Sequence, residues 1–154
     1  NIVMLSLVTG HGPRVGSSHI MRQAKRRGYN VRGSKYAHGT LPVEGNPGGY
    51  YDLLMDEVLQ LRSGVAKVWS AAFAGIQVPV DRMVVLKRRD TQAQIESINK
   101  QKKREGLKVE ASAVIEYSSG LLSLYLESYQ GQVMEVYTED IDNKLTDILK
   151  FLGD

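Results

Sequence analysis

The first eighteen residues constrain the fold more than any other stretch. Ile2 to Val8 (IVMLSLV) is an apolar run of seven residues, broken by Ser6 alone, and it stops at Thr9-Gly10-His11-Gly12-Pro13. A short apolar run closed by glycines predicts a strand buried on both faces. Ser17 and Ser18 are residue types that cap helix N-termini, and Ser18 to Arg27 (SHIMRQAKRR) then reads as a helix ending at Gly28. Strand, glycine-rich turn and helix together form the opening unit of a parallel α/β sheet.

The later elements repeat that alternation. Gly33 to Gly49 is a long loop rich in Gly and Pro, a length usually tied to function. From Tyr50, the residues Leu53, Leu54, Val58 and Leu61 recur at helical spacing up to Gly64. Val65–Trp69, Met83–Leu86 and Val133–Tyr137 are strand candidates. Asp90–Arg104 reads as a polar helix, and Ala111–Tyr129 as a helix weakened in its middle by Ser118-Ser119-Gly120. Asp140–Leu152 is an amphipathic closing helix. The expected architecture is a three-layer α/β/α domain over residues 1–154, with a mostly parallel sheet of four to five strands.

Composition removes several classes of function. Among 154 residues there is no cysteine, which excludes a disulfide scaffold, thiolate zinc, a cysteine nucleophile and an iron–sulfur cluster. No apolar run approaches the ~20 residues that cross a bilayer, and no leader pattern opens the chain, so a cytoplasmic protein without membrane contact is expected. The net charge is only +3, too small to announce a nucleic-acid partner. Its distribution says more, because basic residues cluster at Arg22–Arg27, Lys87–Arg89 and Lys100–Arg104. Such clusters suit a polyanionic small molecule as well as a nucleic acid.

Gly10-His11-Gly12-Pro13-Arg14-Val15-Gly16-Ser17-Ser18 stands where an anion-binding loop belongs. Glycines let the backbone turn sharply and bring its N–H groups near phosphate oxygens, and the next helix adds unpaired N–H groups and the positive end of its dipole. Arg14 supplies a permanent charge, and Ser17 and Ser18 supply short hydroxyl donors. The nucleotide-hydrolase form of this loop is G-x-x-x-x-G-K-[ST]. Here Ser17 stands at its lysine and His11 at its first glycine, and Lys87-Arg88-Arg89-Asp90 is a basic strand end unsuited to magnesium.

These residues also carry a resemblance. Pro13-Arg14-Val15-Gly16-Ser17-Ser18 is similar to the P-[KR]-S-G-[TS]-[ST] loop of the sulfotransferase family, P-loop proteins that use 3′-phosphoadenosine 5′-phosphosulfate. Asn46-Pro47-Gly48-Gly49-Tyr50-Tyr51-Asp52 resembles the N-P-x-G-Y-[YF]-E signature of a bacterial and phage-type branch. Lys67-Val68-Trp69-Ser70 is similar to its K-V-F-S strand, and Ile148-Leu149-Lys150-Phe151-Leu152-Gly153 to its closing helix. Arg89, with Ser97 eight residues later, resembles the pair that holds the cofactor's 3′-phosphate. The resemblance implies a P-loop-like fold that binds this adenine nucleotide through Gly12, Pro13, Arg14, Val15, Gly16, Ser17, Ser18, Arg89 and Ser97. It implies sulfuryl transfer to a hydroxyl-bearing acceptor with no required metal.

Two departures bear on catalysis. The animal branch carries a histidine as general base in a K-T-H motif, where this chain has Trp69, and the aspartate often found four residues after the arginine is Ala93. Lys67 can stabilise the bridging oxygen as charge builds on it. His11 and His38 are candidate bases, since an imidazole titrates near neutral pH, and Asp52 is a further candidate. Two other readings stay open: a variant P-loop kinase or nucleotide hydrolase, and an inactive binding or inhibitory module of the same fold using Lys100–Arg104 as its contact surface.

Overall fold

The computed structural model describes residues 4–32, 53, 55–70 and 80–153. Within them the chain runs β1 (Leu5–Gly10), α1 (Ser17–Arg26), α2 (Met55–Leu59), β2 (Gly64–Lys67), β3 (Arg82–Lys87), α3 (Thr91–Glu105), α4 (Ala111–Ser128), β4 (Gln132–Tyr137) and α5 (Leu145–Gly153), with a 3-10 turn (Thr138–Asp140) before α5. The four strands form one all-parallel sheet in the order β2-β1-β3-β4. Outside β2, Val31 adds a single parallel bridge to Val65.

Alternation along the strands sorts the core into two layers. Leu5, Leu7, Met83 and Val85 turn to one face, where Val58 of α2 and Leu122 and Tyr125 of α4 cover them. Val8, Val84, Leu86 and Val136 turn to the other, under Ile20 and Met21 of α1 and Ile148 and Leu152 of α5. Helices therefore cover both faces, and the architecture is the expected three-layer α/β/α arrangement. Right-handed crossovers account for it. From β1 the chain moves one way along the sheet to β2, and from β3 the other way to β4, so α1 and α4 end on opposite faces.

Three local expectations change. Gly16, not Ser17 or Ser18, is the N-cap of α1, with a left-handed backbone (φ 98°) and no side-chain cap. The loop needs that conformation there, which places both serines inside the first turn. The helix over Ser118-Ser119-Gly120 is continuous, because the serines have distant partners: Trp69 Nε1 donates to Ser118 Oγ at 3.0 Å, and Ser119 Oγ meets His11 Nδ1 at 2.6 Å. The closing helix starts at Leu145 rather than Asp140, after the 3-10 turn. Trp69, expected to end a buried strand, lies two residues beyond β2 and is half-exposed. No helix among the described residues is long and apolar enough to cross a membrane.

Candidate functional site

In a parallel sheet every strand leaves at the same edge, and ligands bind there, where the strand order reverses. In this sheet the reversal lies between β1 and β3. Residues 11–16 follow β1, 68–70 follow β2 and 88–90 follow β3; with the first turn of α1 and one side of α3, these turns border a cleft of about 810 Å³.

The loop from Gly10 to Gly16 is held from behind. His11 N–H donates to the Leu86 carbonyl at 2.8 Å. Gln94 Nε2 donates to the carbonyls of His11 (3.1 Å) and Pro13 (2.9 Å), Arg88 Nη1 to that of Arg14 (3.1 Å), and Thr138 Oγ1 to that of Val15 (2.7 Å). Outside donors thus occupy the loop's carbonyls. Gly12, Arg14 and Gly16 have φ values of 90°, 64° and 98°. Left-handed residues spaced along a turn direct backbone N–H groups to one side, the concavity that receives anions. At Gly10 the packing is close enough that a Cβ would lie 2.7 Å from the Leu86 carbonyl oxygen. The N–H groups of the first turn of α1 have no partner within the helix and add to the same positive end.

Lys67, at the tip of β2, is buried and donates from Nζ to Ser18 Oγ at 2.9 Å. Thr9 Oγ1 and Ser70 Oγ are buried beside it in the cleft wall and have no hydrogen-bond partner among the described residues. A buried hydroxyl without a partner costs about 1–3 kcal/mol, which a polar ligand atom would recover.

A second cationic group borders the same cleft. Arg14 is half-buried and donates from Nε to Ser97 Oγ at 2.9 Å. Burial first, then the charges of Arg104 and Arg88, hold its pKa below the ordinary guanidinium value, with Glu105 opposing. Arg14 and Arg88, both bordering the cleft, repel one another, and an anion placed between them reverses the sign of that interaction.

Gly12, Pro13, Arg14, Val15, Gly16, Ser17, Ser18, Lys67 and Ser97 all border this cleft, as their expected grouping requires. Arg89 does not. Its guanidinium bonds Asp140 in bidentate fashion at 3.1 and 2.8 Å and lies 4.0 Å from the centre of the Tyr137 ring. The backbone N–H groups of Arg89 and Asp90 meet the Glu139 carboxylate. The expected convergence of Arg89 with Ser97 is therefore corrected: adjacent residues leaving an extended strand diverge, and Arg88 is the strand-end arginine in the cleft.

His11 is also turned away. Its ring reaches Ser119 on α4, and its pKa is lowered by burial first and then by Lys87, with Glu135 opposing. His38, Asp52 and the Asn46–Asp52 signature lie outside the described residues. Arg22 and Lys102 enter the cleft from two of the three basic clusters. His19, which the sequence reading did not single out, enters from the first turn of α1, its Nε2 2.9 Å from Asp142 Oδ1. Its place directly after the two loop serines was the available signal.

No protein-family model matches the chain, and no curated protein is significantly similar to it. Among the described residues no cluster of three or more His, Asp or Glu could hold a metal ion.

Proposed function

We propose that the cleft binds an adenine nucleotide with anionic groups at two positions, of the 3′-phosphoadenosine 5′-phosphosulfate type, and that the protein transfers the sulfuryl group to a hydroxyl-bearing acceptor. One observation carries the reading: two cation-bearing cradles border one cleft, one made of the loop backbone, Lys67 and the first turn of α1, the other of the side chains of Arg14, Arg88 and Ser97. A ligand with a single phosphate would engage one cradle and leave the other's charges unneutralised.

Each residue has a distinct task. The loop N–H groups and Ser17 and Ser18 bind the 5′ anion, while Arg14, Arg88 and Ser97 orient the second phosphate and so fix the nucleotide at both ends. The donor supplies an activated sulfuryl group whose charge is already spread over its oxygens. Transfer of such a group depends on position and electrostatics more than on covalent help from the protein. Lys67, held in place at Ser18, offsets negative charge growing on the oxygen that the sulfuryl group leaves.

Binding of the product, 3′-phosphoadenosine 5′-phosphate, tests this reading by thermal denaturation. At about 100 times its dissociation constant a ligand stabilises by about 2.7 kcal/mol, a rise in melting temperature of about 5–10 °C for a chain of this size. Absence of a shift at saturating product, beside a clear shift with magnesium and ATP, overturns the proposal in favour of a nucleotide hydrolase or kinase. Product binding without turnover over a panel of acceptors reduces it to a binding module.

A further inference from the structure

α4 is apolar on two sides, and the fold covers one of them. Leu122 and Tyr125 pack against the sheet, with Ala111 and Ser118 buried beside them. On the opposite side Ala113, Tyr117, Gly120 and Leu124 recur at helical spacing. All four are exposed, Tyr117 at 62% and Leu124 at 63%. The outward side of a helix on a sheet is ordinarily polar, and a helix apolar all round is ordinarily covered all round. Gly120 is a second sign. It lies inside the continuous helix, and a Cβ there would meet nothing within 4 Å. Nothing among the described residues requires a glycine, which costs about 1 kcal/mol against alanine within a helix. A missing Cβ in the middle of an apolar stripe lets another chain come close.

Charge says which chain. α4 carries Glu116 and Glu127 beside the stripe and has no Lys or Arg. Two α4 helices crossed antiparallel at Gly120 would bring Glu127 of one copy to within a turn of Glu116 of the other, and like charges at that spacing repel. α3 has the complementary sign. Lys100, Lys102, Lys103 and Arg104 stand at its end with no acid among them, and Lys100, Lys103 and Arg104 are exposed. The stems of such residues lie along apolar surface while their heads stay in water, and a cation over a tyrosine ring is attracted to it.

We propose that this face binds a second copy of the chain, the outward side of α4 in each copy lying against the basic end of α3 in the other. The contact is made twice about a two-fold axis and closes a dimer. It does not depend on what the cleft binds.

Sedimentation velocity of the full chain over a wide concentration series tests the dimer. The unmodified chain should pass reversibly from monomer to dimer. Its dissociation constant should rise about tenfold or more between about 0.1 M and about 1 M salt, which shortens the Debye length from about 10 Å to about 3 Å. G120L, a better helix former, and L124K, at an exposed position, should each weaken association about tenfold or more without lowering the melting temperature. Charge reversal separates the two helices. K100E/K103E alone and E116K/E127K alone should both stay monomeric, and an equimolar mixture of the two should restore the dimer, since each α3–α4 contact then joins opposite charges. A chain that remains monomeric throughout overturns the proposal and leaves the face to a basic segment of another protein. A dimer indifferent to G120L and L124K lies on another surface. A dimer kept by K100E/K103E alone, or a mixture that stays monomeric, removes α3 from the contact; each of these results also overturns the proposal.

Discussion

Arg14 Nε donates to the hydroxyl of Ser97 at 2.9 Å, joining two positions 83 residues apart. The contact joins the loop after β1 to α3 and aims a charged side chain that Arg88 and Arg104 would otherwise push aside. Hydrogen bonds to charged groups contribute about 1.5–3 kcal/mol. S97A should therefore weaken binding of 3′-phosphoadenosine 5′-phosphate about tenfold or more in titration calorimetry, and lower the melting temperature of the free protein by several degrees.

The two neighbouring arginines at the end of β3 should separate cleanly. R88A removes a cation from the cleft and a donor to the Arg14 carbonyl, and should weaken product binding by a similar factor. R89A should leave affinity unchanged, because that side chain serves Asp140. Equal losses in the two variants would show that the clasp at Asp140 also shapes the cleft.

That clasp should appear in acid. The Arg89 guanidinium holds the Asp140 carboxyl below its usual range, and hydrogen bonds led by the Arg89 backbone N–H do the same for Glu139. Carboxyls depressed in the folded state stabilise it above their unfolded pKa, and that stabilisation is lost as pH falls through the folded values. The unfolding midpoint should fall as the solution is acidified below about pH 4, and less steeply in D140N.

His11 gives a second, separate pH window. Burial, then Lys87, keeps its pKa below the ordinary 6.5. The unfolded chain takes up that proton first, so stability is full above about pH 6.5 and declines as pH falls towards the folded value. Chemical denaturation at about pH 8 and about pH 5 should show the decline, and H11Q should flatten it.

Lys67 is a test of chemistry rather than affinity. K67M keeps the buried stem and deletes the charge, so turnover should fall about 100- to 1,000-fold, with a much smaller change in product binding. A fall confined to affinity would make Lys67 a binding residue only.

Much of the frame was legible from local pattern. The apolar run and the glycines after it specify β1 and its turn, and the period of Ile148, Leu149 and Leu152 specifies α5. What escaped depended on distant partners. Nothing local distinguishes Arg88 from Arg89, and the eightfold spacing to Ser97 pointed to the residue that Asp140 captures from across 51 positions. His11 sits within the glycine-rich loop, yet its ring meets Ser119 of α4. The serine-rich middle of α4 looked weak because its two tertiary hydrogen bonds cannot be read from propensity.

The left-handed backbone at Arg14 has a further consequence. With φ at 64° it is the sole non-glycine residue of positive φ among the described residues, in a region that disfavours a Cβ by about 1–2 kcal/mol. Its side chain also stands among like charges. R14G would remove both penalties but also the hydrogen bond to Ser97, and it would free the unfolded chain, so the melting temperature should move little while the proposed nucleotide binding is lost. The strain at this position is thus offset by the contact that the arginine makes with α3.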